Sequence, residues 1–137
     1  MTWKDHGELF IRSRKNPILT VEDWPYRANS VFNPAAAIID GKILLLVRVE
    51  DHRGFSHFTV ARSENGIDGW EIDSEPTFFP DPVNYPEEIY GIEDPRITYI
   101  DEMGKWAIVY VAFSDSGPLP ALAFTEDFRN FDRAGPL

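Results

Sequence analysis

The sequence predicts an all-β fold, a partial β-propeller of about two blades, on three observations. Helical periodicity is nearly absent, short apolar runs alternate with Gly, Pro, Asp and Asn, and the two halves of the chain repeat one hairpin-plus-strand pattern. The 137 residues suit one domain with room for a hydrophobic core. Four Trp, five Tyr and ten Phe favour strands, and eleven prolines with nine glycines mark frequent turns.

Taken in order, the runs "AAAIID", "KILLLVRV", "FTVAR", "RITYI", "KWAIVYVAF" and "ALAFT" place strands near 34–39, 43–49, 57–62, 96–100, 105–112 and 120–125. "IIDGKILLLV" reads as a hairpin turning at Asp40-Gly41, and "YIDEMGKWAIVYV" as the same hairpin with two more turn residues. The first thirty residues and "DSEPTFFPDPVNYPEE" read as ordered, irregular loops, and "SENGIDGW" as a structural turn.

Laying "NPAAAIIDGKILLLVRV" over "DPRITYIDEMGKWAIVYVA" puts Asn33-Pro34 on Asp94-Pro95, 61 residues apart. Further on, "VARSENGIDGW" lies over "LAFTEDFRNF", with Ser63 on Thr125 and Trp70 on Phe131. The repeat units are about 31–75 and 92–135 of a single domain over 1–137, and each has the content of an antiparallel blade. Asn33 and Asp94 then occupy equivalent blade entrances facing the axis, where propellers build their sites. Propellers have roughly four to eight blades, so two leave sheet edges to be covered. The expectation is a homo-oligomer, or a partner chain completing the ring.

The net charge of −10 argues against a non-specific grip on nucleic acid or an anionic membrane. Any bound anion must meet a local cluster of arginines. Cysteine is absent, so disulfides and thiolate metal sites are excluded. The start, "MTWKDHGELF", has no cationic segment followed by an apolar run, and no stretch approaches transmembrane length, so a cytoplasmic location is expected. His6, His52 and His57 lack metal-ligand spacing and read as surface or packing residues. No metal site is expected.

"YGIEDPRITYID" poses the functional question. An Asp-Pro step is a loop signal, since proline fixes its own φ and restricts the residue before it. Glu93 and Arg96 beside it are more charge than a turn needs. Either Asp94 caps a turn while its neighbours make salt links between blades, or Asp94 is the centre of a site.

"VFNPAAAIIDGKILLLVRVED", "SHFTVARSENGIDGW", "GIEDPRITYID" and "ALAFTEDFRNFDRAGP" resemble the successive motifs of glycoside hydrolase family 130, the β-mannoside phosphorylases and related β-1,2-mannosidases. The resemblance runs from about residue 30 to 136, and Gly-x-Glu-Asp-Pro-Arg is its most specific part. It implies a five-bladed propeller acting on β-linked manno-oligosaccharides, with inorganic phosphate as a co-substrate in the phosphorylases and no other cofactor. Asp94 matches the family's acid, whose proton travels through a hydroxyl of the bound mannose. Asn33 and Arg48 match sugar-contacting positions. Glu93 and Arg96 are supporting substrate-site residues whose charges tune when Asp94 holds its proton.

Arg48 interrupts an apolar run, where an unpaired buried charge is expensive. It is expected to reach a sugar hydroxyl or a carboxylate such as Asp94, the alternative being a salt bridge to Glu50. Arg53 and Ser56 border the pocket in this reading. One departure stands out: the family's phosphate-binding arginines, and the glutamate pair of its hydrolytic members, fall beyond the matched motifs. Phosphorolysis and hydrolysis therefore both stay open. So do a non-catalytic carbohydrate-binding or truncated module and a furanosidase-related glycosidase, the last requiring a second essential carboxylate near the axis.

Overall fold

The structure, a computed structural model, describes residues 10–137. His6 lies outside the described residues. Eight strands form two antiparallel sheets of four. β1 (Ser30–Ile39), β2 (Lys42–Glu50), β3 (Ser56–Ser63) and β4 (Glu71–Ile72) make the first, in that order. β5 (Ile92–Ile100), β6 (Lys105–Ser114), β7 (Gly117–Thr125) and β8 (Asp132–Pro136) make the second. The segments before β1 and between β4 and β5 are irregular apart from single 3-10 turns at Val21–Asp23 and Pro86–Glu88.

All six expected strands are present. β4 and β8 are additional, being too short or too rich in charge and glycine to stand out. β1 and β5 also begin four residues before their expected starts, because the Asx-Pro steps lie inside the strands. Register passes from Phe32↔Arg48 to Ala35↔Leu46, and from Glu93↔Val111 to Arg96↔Val109, so each Asx-Pro is a bulge of two residues opposite one. Proline has no N–H to leave unpaired at a bulge. Asn33 and Asp94 adopt positive φ, 43° and 51°, which short polar side chains tolerate better than others.

The turns repeat as well. Asp40 and Gly41, both at positive φ (50° and 78°), form the expected two-residue hairpin, and Gly104 (φ 62°) closes the longer one. After β3, Ser63 Oγ accepts N–H groups from Asn65 and Gly66 and donates to Asp68 O. After β7, Thr125 Oγ1 accepts from Asp127 and Phe128 and donates to Asn130 O.

The core explains which runs are continuously apolar. Leu44 and Leu46 of β2 face the second sheet, packing with Phe58, Val60, Ile108, Tyr110 and Ala123. Leu45, Val47 and Val49 face the other way, under Ile18, Leu19, Trp24 and Tyr26 of the first irregular segment. β2 is thus buried on both faces. β6 is buried on one: Ile108, Tyr110 and Ala112 point inward, while Val109 and Phe113, opposite Leu122 and Pro118 of β7, remain 38% and 37% exposed.

His57 is buried on the outer face of the first sheet, where the Tyr26 hydroxyl bridges its Nε2 at 2.8 Å and Thr59 Oγ1. Burial pushes its pKa down to about 4, with Asp51 opposing weakly. Because an unfolded histidine titrates near 6.5, the unfolded chain binds a proton that the native one refuses between these values. Stability present at neutral pH is therefore lost as pH falls through that window, by up to about 3 kcal/mol. Urea unfolding at about pH 7 and pH 5 should show this loss in the parent and much less of it in His57→Gln; equal slopes would mean that His57 titrates normally.

Candidate active site

The two bulges carry Asn33 and Asp94 out of the pleat and toward each other. Asn33 Nδ2 donates to Asp94 Oδ1 at 2.9 Å, across the two sheets. Arg48, paired with Phe32 in the ladder, extends over the Phe32 ring at 4.5 Å and into the same spot. Its Nη1 donates to Asp94 Oδ1 at 2.9 Å, its Nη2 meets Glu93 Oε1 at 2.9 Å, and its Nε donates to Ser56 Oγ at 3.0 Å. With its side chain 12% exposed, an unpaired Arg48 would cost several kcal/mol. Two carboxylates remove that cost. Glu50, the alternative partner, instead accepts from Asn29 Nδ2.

Asp94 is held below the usual carboxylate range, first by the Asn33 hydrogen bond and then by the hydrogen bond and charge of Arg48 and the charge of Arg96, which together outweigh its partial burial. It is ionised at neutral pH. Both hydrogen bonds land on Oδ1, and among the described residues none reaches Oδ2. Oδ2 is the oxygen open to a ligand or a proton.

Arg96 stands beside this cluster without joining it. Its Nη1 donates to the Pro95 carbonyl at 2.8 Å, and among the described residues no carboxylate pairs with it. It lines an open polar groove between β1 and β5 with Asn33, Pro34, Ala36 and Thr98. Arg53 pairs with Asp51 at 2.7 Å, and with Ser56 it lines a neighbouring cavity of about 140 Å³ that also meets His57, Phe79 and Gly91. His52 is exposed. Among the described residues no group of three or more His, Asp or Glu is placed to hold a metal ion.

Sequence reasoning missed Glu88. It is 1% exposed and accepts from Tyr110 Oη at 2.7 Å, Arg133 Nε at 3.0 Å and Nη2 at 3.1 Å, and the Asp81 N–H at 2.9 Å. Arg133 also lies over the Phe78 ring at 4.2 Å. This network clamps the connecting segment onto the second sheet just before "GIEDPR". The one hint was a tyrosine within the apolar run "KWAIVYVAF", whose buried hydroxyl needs a partner.

A family model described as beta-1,4-mannooligosaccharide phosphorylase matches residues 10–137. The 4-O-beta-D-mannosyl-D-glucose phosphorylase of Bacteroides fragilis is 31% identical over 122 residues, taking in 80% of this chain and 30% of that protein. A glycosyl hydrolase from Bacteroides ovatus superposes with a TM-score of 0.79 at 27% identity, over 91% of this chain and 40% of that one. The beta-1,2-mannobiose phosphorylase from Listeria innocua, solved with beta-1,2-mannobiose, superposes at 0.77 with 22% identity over 91% of this chain and 50% of that one, a likeness of fold. The chain thus spans half or less of each of these relatives. With the family model matched across every described residue, the chain belongs to glycoside hydrolase family 130.

Proposed function

We propose that Asn33, Arg48, Glu93 and Asp94 form the sugar-binding and proton-donating part of a β-mannoside-cleaving site, on two blades of a five-bladed ring. The observation that carries this reading is the grip on Asp94: two donors hold Oδ1 in place and leave Oδ2 open. Glycosidic cleavage needs an acid for the leaving oxygen and a nucleophile for the anomeric carbon. Glu93 is engaged by Arg48 and acts as a charge partner, so the nucleophile comes from outside these residues, as inorganic phosphate or water. The phosphorylase description of the matched family favours phosphate.

An acid must hold a proton, and Asp94 is ionised before substrate arrives. A bound sugar excludes water from the carboxylate and an arriving phosphate adds negative charge, and both raise its proton affinity. Oδ2 then carries the proton, passed to the bridging oxygen through a mannose hydroxyl as the family resemblance implies. A second reading, a carbohydrate platform without catalysis, draws on the same low proton affinity of Asp94.

The assay that separates them is release of mannose 1-phosphate with phosphate supplied, or of mannose without it, from β-linked manno-oligosaccharides by the active form, alone or assembled. Asp94→Asn should keep the fold and most sugar binding while lowering turnover by roughly a hundredfold to ten-thousandfold. Glu93→Gln should cost less and move the pH optimum, and Arg48→Ala should weaken substrate binding. Turnover of Asp94→Asn at the parent rate would make Asp94 a turn residue and not the acid, whereas sugar binding without turnover in any assembled form of the parent leaves the platform reading.

Completion of the ring follows from the open face of β6 and β7. A further sheet, from a second copy or a partner chain, would bury the exposed third of Val109 and Phe113, about 0.5–1 kcal/mol for each. Light scattering at tens of micromolar should show association of the parent and its loss in Val109→Glu with an unchanged melting temperature. A parent that stays monomeric contradicts this assembly.

A further inference from the structure

Gly91 ends the connecting segment and is fixed to the second sheet. Its N–H donates to Glu88 O at 2.9 Å, and its carbonyl accepts from Phe113 N at 3.1 Å. On its other side an isolated parallel bridge joins it to Ser56, the first residue of β3. The approach is so close that a Cβ at position 91 would stand 2.6 Å from Ser56 N and 2.8 Å from Ser56 O, at a φ of +107°. Only glycine fits there without moving backbone. Ser56 is 1% exposed, and its hydroxyl accepts from Arg48 Nε.

We propose that Gly91 and Ser56 are positioning residues for Asp94: the backbone contact sets the gap between the sheets, and the Ser56 hydroxyl fixes the plane of the Arg48 guanidinium that holds the carboxylate. The proposal rests on the reading of Asp94 as the reacting carboxyl. A guanidinium is planar, so its orientation is settled once Nε and both Nη atoms have partners. With the Nε partner removed, the group can turn about its own bond and favour Glu93 over Asp94. Asp94 would then keep the Asn33 hydrogen bond and lose part of the one from Arg48. The charged groups facing Asp94 are Arg48, Glu93 and Arg96, from β2 and β5, and Asn33 on β1 is neutral.

The test uses Ser56→Ala, with Gly91→Ala as its steric counterpart and Ser63→Ala as a control that removes a buried hydroxyl at the far end of β3. Carboxyl-carbon NMR follows the titration of Asp94 in the unliganded protein, and steady-state kinetics of the active form separates kcat from KM. In Ser56→Ala, Asp94 should titrate higher than in the parent, and kcat should fall roughly tenfold to a hundredfold with a smaller change in KM. Ser63→Ala should leave the Asp94 titration where it was. An Asp94 that titrates as in the parent in a folded Ser56→Ala protein, or that moves equally in Ser63→Ala, overturns the proposal. Should Gly91→Ala fail to fold, Ser56→Ala still decides. The titration needs no turnover, so an active Asp94→Asn enzyme would remove the catalytic reading while the NMR result still judged the positioning.

Discussion

The site depends on one backbone constraint, the paired bulges at Asn33-Pro34 and Asp94-Pro95. In a regular strand successive side chains alternate between the two faces, and neither residue could then point along the sheet plane toward its neighbour. One extra residue in each ladder breaks the alternation and re-aims the side chain. The left-handed backbone costs about 1–2 kcal/mol for an ordinary L-residue and less for Asn or Asp. Proline follows at no loss of a ladder donor. The hydrogen bond between the two Asx side chains and a second one from Arg48 then hold a geometry that neither strand would keep alone.

Charge at the centre follows from that geometry. In a chain of net charge −10, the cluster of Arg48, Glu93 and Asp94 carries one positive and two negative groups, and Arg96 alongside brings it close to neutral. That balance suits a neutral sugar. A phosphate would need more, since Arg48 is engaged by two carboxylates and Arg96 is the cation beside Asp94 that has no carboxylate partner among the described residues. The cluster can therefore orient the Asp94 carboxylate, and the remaining charge for an anion must come from groups outside it.

How much of this was legible follows the range of the physics. The hairpins could be read because Asp-Gly and the later glycine meet a positive φ that few residues accept, and the signal lies within two to four residues. Trp70 was correctly laid on Phe131: Glu71 pairs with Arg62 as Asp132 pairs with Phe124, one residue out of step with the preceding strands. The strand starts were misread where proline is normally a stop. Pro118 and Pro120 lie within β7 because the Pro120 carbonyl, and with it the side lacking an N–H, faces Leu137 and not β6. Glu88 had no local signature, since its partners Tyr110 and Arg133 lie 22 and 45 residues away. Ser56 was placed near the site by its loop, but its bond to Arg48 required the register of β2 on β3.

Within the chain, the two units agree where they fold and differ where they could react. The turns after β3 and β7 keep the same bonding with Ser63 or Thr125 at the hub, and a hydroxyl serves equally well in either. At the bulges the exchange of an amide for a carboxylate changes everything else. Two facing carboxylates would repel, and one would be forced to take up a proton. Two amides would hydrogen-bond but offer no acid. Asn33 against Asp94 gives one donor and one acceptor, so equivalent positions on successive sheets become complementary. The carboxylate then falls on the sheet whose adjacent residue, Glu93, shares Arg48 with Asp94. In the proposed reading the chemistry of the site is thus carried by the one atom in which the repeats differ at that position.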